Sequence, residues 1–326
     1  LFNAIGNIFP MLLETELASV LNGPPEVTAR LICDSKCELG ECCLYDDATN
    51  AILFSDILKR RLYKLSLDTS TLTFHDLPKM LGAFALLKNN QKGYLCAWED
   101  GFEIYDVDSK TSLSSTSIGE EVNPHGLPTR LNDGRCDRSG KYFICGGYYG
   151  DLEGMEMKVY RSFLDENGTL KHEPLVESIR VTNSLCFSPD GKTMYLADSP
   201  TRTIFKYDYK DGTISNKTEF HLCPVGVPDG SCIDADGYLW NAIWRDGEGP
   251  SFVVRLDPTT GKEVFRVNMP DNTSQVSCCC FGGPNLNVLF ITTARVNRHD
   301  TEPMAGGLYA IKLPFFGLPE SRFQYP

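Results

Sequence analysis

Apolar positions recur along this chain with two different periods. Over residues 1–25, Ile5, Ile8, Phe9, Leu12, Leu13, Leu17, Val20 and Leu21 fall at helical spacing. Pro10 fits only at a helix start or break, and Asn22-Gly23-Pro24-Pro25 is a stop. The pattern therefore predicts a helix over residues 11–21. Such a helix either packs on the body of its own protein, the ordinary outcome, or docks on a partner or a membrane surface.

From Val27 onward the period is two. Val27–Cys33 reads as a strand, followed by a first meander through residues 42–50, 51–56 and 61–66. A second runs through 82–87, 93–97 and 101–106, and a third opens at Gly134 and takes in 142–146 and 157–161. Sets four and five correspond element for element: 184–191, 193–198 and 203–208 against 231–237, 238–243 and 252–257. A sixth set is 276–281, 288–293 and 307–312. Six strand sets at intervals of roughly 40–50 residues describe propeller blades. The last set has three clear strands, so Val27–Cys33 is expected to supply its outer fourth and close the ring. The fold predicted is all-β: a six-bladed β-propeller of four-stranded antiparallel blades over residues 26–326, behind a short helical extension over residues 1–25.

The turns repeat as well as the strands. Arg130-Leu131-Asn132-Asp133-Gly134, Thr182-Asn183-Ser184 and Pro228-Asp229-Gly230 each read as a tight turn running into a strand, with 51 residues from Asn132 to Asn183 and 46 from Asn183 to Asp229. Taken singly, Asn-Asp-Gly and Pro-Asp-Gly are plain turns. If each innermost strand starts beside the central channel, Glu41, Asn132, Asn183 and Asp229 occupy equivalent blade positions and converge on the axis. Four oxygen donors with two negative charges suit one hard divalent cation, Ca²⁺ or Mg²⁺, with water completing the shell.

Composition is consistent with this. The formal net charge of −12 argues against a nucleic-acid surface and favours cationic guests. A hydrophobic fraction of 42% suffices for a sizeable core. Thirteen cysteines, an odd number that includes the adjacent runs Cys42-Cys43 and Cys278-Cys279-Cys280, fit reduced thiols packed as small apolar residues; Cys33 with Cys37 is the pair to check. Asn167, Asn216 and Asn272 match the glycosylation pattern at a frequency chance allows. No apolar run of about 18 residues exists, so no membrane span is predicted. The expectation is a soluble cytoplasmic or organellar protein with a targeting segment removed ahead of Leu1. No Gly-x-Ser-x-Gly elbow and no EF-hand loop is present, which counts against a serine hydrolase and a calcium buffer.

Across residues 27–313 the chain resembles the SMP-30/gluconolactonase/luciferin-regenerating enzyme family, the regucalcin-like lactonases. The matching stretches are Leu39-Gly40-Glu41, Arg130-Leu131-Asn132-Asp133-Gly134 with Asp137 and Gly140, Asn183-Ser184-Leu185, Pro228-Asp229-Gly230 with Cys232-Ile233-Asp234-Ala235 and Gly237, Leu256-Asp257-Pro258 with Gly261-Lys262, Phe281-Gly282-Gly283 and Ala305-Gly306-Gly307. The resemblance implies a six-bladed propeller, a single divalent metal held at Glu41, Asn132, Asn183 and Asp229, and hydrolysis of sugar lactones. It also matches Arg130 and Asp133 to substrate-contacting positions, beside Asn132.

On those residues the ion, Ca²⁺ first with Mg²⁺, Mn²⁺ or Zn²⁺ as alternatives, would polarise the lactone carbonyl as a Lewis acid. Asp229 would take the proton of the attacking water, Arg130 would hold sugar hydroxyls or the oxyanion, and Asp133 would accept hydroxyl hydrogen bonds. Where some animal members carry a pair of glutamates, this chain has Tyr148-Tyr149-Gly150-Asp151-Leu152-Glu153-Gly154. Tyr148 and Trp244, with Arg245 beside it, are placed at the mouth, where aromatic rings suit the apolar face of a sugar. His125 is read as a loop-fixing residue. Two alternatives stand beside the lactonase: a metal-dependent organophosphate esterase, and a non-catalytic platform docked to a larger assembly through residues 1–25.

Overall fold

The computed structural model describes residues 25–119, 129–149, 156–247, 249–270 and 273–326. The helix expected over 11–21, the docking role given to residues 1–25, and His125, Asp151, Glu153 and Asn272 lie outside the described residues.

Two short strands come first, β1 (Glu26–Thr28) and β2 (Arg30–Cys33). Blade one is β3 (Gly40–Asp46), β4 (Ala51–Asp56), β5 (Arg61–Ser66) and β6 (Leu72–Asp76). Blade two is β7 (Leu81–Leu86), β8 (Tyr94–Trp98), β9 (Gly101–Asp106) and β10 (Thr111–Ser117), and blade three is β11 (Arg130–Cys136), β12 (Phe143–Tyr148), β13 (Met157–Leu164) and β14 (Leu170–Ile179). Blade four follows as β15 (Thr182–Phe187), β16 (Thr193–Asp198), β17 (Thr203–Lys210) and β18 (Thr213–Leu222). Blade five is β19 (Val227–Ile233), β20 (Leu239–Trp244), β21 (Phe252–Leu256) and β22 (Glu263–Asn268), and blade six is β23 (Val276–Gly282), β24 (Val288–Thr293) and β25 (Leu308–Lys312) completed by β2. The six-bladed, antiparallel, all-β architecture read from the sequence is the one observed.

Ring closure differs in one respect from expectation. The segment 27–33 is divided at Ala29: β2 pairs antiparallel with β25 as the predicted fourth strand, whereas β1 pairs in parallel with β22 and gives blade five a fifth strand. One short segment thus joins two blades and covers both outer edges.

Burial grades outward along each blade. Every residue of β3, β4, β11, β15 and β23 is buried, while β10, with the sequence Thr-Ser-Leu-Ser-Ser-Thr-Ser, is largely exposed. The inner strands are covered by neighbouring blades, so even the polar residues of β11 (Arg-Leu-Asn-Asp-Gly-Arg-Cys) are buried. Packing between inner strands is close: a Cβ on Gly82 would stand 2.1 Å from the carbonyl oxygen of Leu131 in the next blade. All thirteen cysteines are buried and free, including Cys33 and Cys37; the sulfurs of Cys43 and Cys280 lie 3.3 Å apart without a disulfide. Burial pushes these thiols up, Cys33 to about 11, which suits inert core residues.

The back of the channel is closed by the C-terminal segment. It bonds to Ala235 through the Phe316 carbonyl, to Leu86 and Lys88 through Phe323, and to Gly140 through the Gln324 N–H. Glu320 pairs with Arg135 at 2.8 Å, and Arg135 also donates to the Ser231 carbonyl at 2.7 Å. Glu320→Ala leaves this buried guanidinium without its carboxylate and is expected to lower the unfolding free energy by about 3 kcal/mol. Guanidinium-chloride unfolding of the two proteins reads the difference.

Candidate active site at the head of the channel

The residues that the sequence reading placed in tight turns lie instead within strands. Arg130–Cys136 is the strand β11 and Val227–Ile233 the strand β19. The turn-like chemistry of Asn-Asp-Gly and Pro-Asp-Gly is spent on β-bulges, because the register with the neighbouring strand shifts at Leu131/Gly134 and at Pro228/Ser231. The same shift falls at Glu41/Leu44 and Asn183/Cys186, where Cys42 and Ser184 take positive φ of 48° and 56°. A bulge re-aims a side chain and ends regular pairing. Repeated in blades one, three, four and five, it places Glu41, Asn132, Asn183 and Asp229 at the register shift of their inner strands.

All four are buried, and hydrogen bonds join Asn132, Asn183 and the backbone beside Asp229. Asn132 Nδ2 donates to the Thr182 carbonyl at 2.7 Å and to Asn183 Oδ1 at 3.1 Å. Asn183 Nδ2 donates to Ser199 Oγ at 2.8 Å, and Ser199 Oγ donates to the carbonyl of Pro228, next to Asp229, at 2.8 Å. Arg130 donates to Asn132 Oδ1 and lies with its guanidinium 4.4 Å over the ring of Tyr148. Asp229 Oδ1 is buried with no hydrogen-bond partner among the described residues.

The electrostatics are unbalanced. Burial pushes Glu41 up to about 8, helped by Asp133 and opposed by Arg130. Asp229 is also raised well above the usual carboxylate range, by burial and then by Glu41 and Asp133. Burial also raises Asp133 and lowers Arg130. Glu41, Asp133 and Asp229 in their ionised forms, set against Arg130, leave two uncompensated negative charges, the charge of one divalent ion.

The donor chemistry fits such an ion. Among the described residues no three His, Cys, Asp or Glu side chains converge closely enough to hold a metal by themselves. A site here therefore draws on the two amide oxygens. Each of them accepts one hydrogen bond and keeps a second lone pair, and Asp229 Oδ1 is wholly free. Carboxylate and amide oxygens together make a hard donor set.

The other expected residues take distinct places. Asp133 Oδ2 accepts the Leu185 N–H at 2.8 Å, so this carboxylate fastens β11 to β15 as well as facing the charged group. Tyr148 carries Arg130 on its ring, which makes it a platform for the guanidinium. Trp244 packs with Met80 and Val296 on buried Leu39, Ile57 and Ala294, two residues from Glu41, and forms an apolar wall. Arg245 donates to the Pro250 carbonyl at 3.0 Å, within its own loop. Ser199 was not anticipated: a single serine in Asp198-Ser199-Pro200 has no distinguishing pattern in the sequence.

Comparison with known proteins agrees with this architecture. Residues 39–295 match the family model described as the SMP-30/Gluconolactonase/LRE-like region. The chain is 37% identical to an L-arabinolactonase of Azospirillum brasilense over 92% of its own length and 96% of that protein. It is 28% identical to regucalcin of Xenopus laevis over 84% of the chain and 90% of that protein. Among solved structures, regucalcin of Agrobacterium tumefaciens, described as a calcium-binding protein, superposes with a TM-score of 0.79 at 28% identity, covering 92% of this chain and 98% of that one. The chain belongs to the SMP-30/gluconolactonase/LRE-like family.

Proposed function

We propose that the chain is a divalent-cation-dependent lactonase that opens sugar lactones with water. The observation that carries this reading is the set of buried carboxyl groups of Glu41, Asp133 and Asp229 beside Arg130, with an oxygen on Asp229 that has no hydrogen-bond partner among the described residues. Glu41, Asn132, Asn183 and Asp229 would hold the ion. The calcium-binding description of the Agrobacterium regucalcin favours Ca²⁺, with Mg²⁺, Mn²⁺ or Zn²⁺ as alternatives. When bound, such an ion supplies Lewis-acid polarisation of a carbonyl oxygen. The similarity to an L-arabinolactonase supports a sugar lactone as substrate.

The chain's own residues supply the rest. Arg130, held by Tyr148 and Asn132, presents N–H donors to the ring oxygens of the lactone and to charge that develops on its carbonyl oxygen. Asp229 accepts the proton of the attacking water on its unpartnered oxygen, and that proton leaves with the ring oxygen as the hydroxy acid forms. The wall formed by Trp244, Met80 and Val296 offers an apolar face against which a sugar ring can lie.

A panel of aldonolactones tests the proposal, read by a pH indicator with chelator-treated protein and with Ca²⁺, Mg²⁺, Mn²⁺ and Zn²⁺ restored one at a time. Acid release from a sugar lactone with at least one cation is expected. No turnover of any lactone with any of the four would overturn the reading.

A further inference from the structure

Two of the four proposed ligands are amides, and an amide binds a cation only with its oxygen turned toward it. Turned the other way, it would present NH₂ protons to the ion. The hydrogen bonds around Asn183 settle its orientation from a fixed point. The carbonyl of Pro228 can only accept, so Ser199 Oγ, 2.8 Å away, donates its one proton there. Ser199 Oγ then has only lone pairs left for Asn183, and the group 2.8 Å from it is the amide nitrogen. Asn183 Oδ1 is thereby turned away from Ser199 to the side where Asn132 Nδ2 meets it at 3.1 Å. Asn132 is oriented by the same logic: its nitrogen lies 2.7 Å from the acceptor-only carbonyl of Thr182, and its oxygen receives the donor-only guanidinium of Arg130.

Resting on the reading of Glu41, Asn132, Asn183 and Asp229 as cation ligands, we infer that Ser199 is a positioning residue for that site. Its hydroxyl aims the Asn183 oxygen inward and ties blade four to the backbone immediately before Asp229. Ser199 is buried at the start of the short turn Ser199–Thr201. A second, independent link between the same blades, Ser184 Oγ to Ser231 Oγ at 2.7 Å, holds their inner strands together without it. Removing the Ser199 hydroxyl therefore leaves the Asn183 amide held only by the 3.1 Å bond from Asn132 Nδ2, one of its two orienting contacts, while the ring stays closed. A hydroxyl that orients a ligand in this way typically changes metal affinity by about 10- to 100-fold.

Calorimetric titration of Ca²⁺ into chelator-stripped protein tests the inference on three forms: wild type, Ser199→Ala and Thr201→Ala. Thr201 lies in the same turn and donates to the Asp198 carbonyl at 2.8 Å, so its loss reports general loosening of that turn. Ser199→Ala is expected to weaken Ca²⁺ binding about 10-fold or more, with Thr201→Ala within about twofold of wild type. With a lactone that turns over, the Ca²⁺ needed for half-maximal rate rises in Ser199→Ala, while kcat at saturating Ca²⁺ stays within a few-fold. Near-ultraviolet circular dichroism of the stripped variants confirms the fold. Equal affinity in Ser199→Ala and wild type, or equal weakening in both variants, would overturn the positioning role. Absence of binding in the wild type itself would overturn the cation reading on which it rests.

Discussion

Asp229→Asn is expected to reduce kcat/KM for a sugar lactone about a thousandfold, roughly 4 kcal/mol of transition-state stabilisation, in a protein that still folds. Asp229 is the side chain on which two proposed roles meet, ligand and proton acceptor, and its Oδ1 has no hydrogen-bond partner among the described residues. The amide keeps the shape and one oxygen but removes a negative charge and a basic site. The same charge has the opposite effect on stability. Glu41, Asp133 and Asp229 repel one another in a buried setting with Arg130 as the nearby counter-charge, so without a cation the carboxylate at 229 is a source of strain. Asp229→Asn should therefore unfold at a higher temperature than wild type in chelator, while losing the gain that wild type shows on adding Ca²⁺. A purely structural Asp229 would instead lose stability with and without the cation, with activity falling only as far as the folded fraction.

Removal of divalent cations is the second large effect. Chelator treatment should abolish lactone turnover, and restoring the preferred cation should return it. A ligand that binds only the folded state stabilises it by about 2.7 kcal/mol at 100 times its dissociation constant. Thermal unfolding followed with and without cation should shift accordingly, with the shift growing with the logarithm of cation concentration. A protein that turns over lactone at the same rate in chelator would show that Arg130 and Asp229 act without an ion.

The propeller was legible in the sequence because its strands recur as short, largely buried segments between turn residues at a regular interval. Residues 193–198 and 203–208 align with 238–243 and 252–257 for that reason. The outer strands were less visible. β10 and β18 face solvent over most of their length, so nothing selects an apolar alternation there, and the Pro-containing C-terminal segment that closes the channel has no periodic pattern. The joint at Ala29 was unreadable because Val27 and Arg30 belong to different blades, a fact set by ring closure and not by local preference.

At the site, repeat position was readable and local geometry was not. Glu41, Asn132, Asn183 and Asp229 stand out by their repeat positions, and the structure buries all four and bonds Asn132 to Asn183. Their turn-like sequences turned out to encode bulges within strands, since a turn and a bulge draw on the same Gly, Asn and Asp preferences. Tyr148, read as a sugar platform at the mouth, also carries Arg130 on its ring. Asp133 was given hydroxyl contacts and is found holding the Leu185 N–H. Each of these depends on which way a side chain leaves a bulged strand, information that a list of residue types does not contain.

The central claim is that four oxygen-bearing side chains from four blades meet around one ion. Anomalous diffraction from crystals grown with Mn²⁺ tests it most directly. The account predicts a single strong peak at the head of the channel, within about 2.0–2.6 Å of oxygens from Glu41, Asn132, Asn183 and Asp229. No peak at that level, or a peak whose nearest oxygens leave out Glu41 or Asn183, would contradict it.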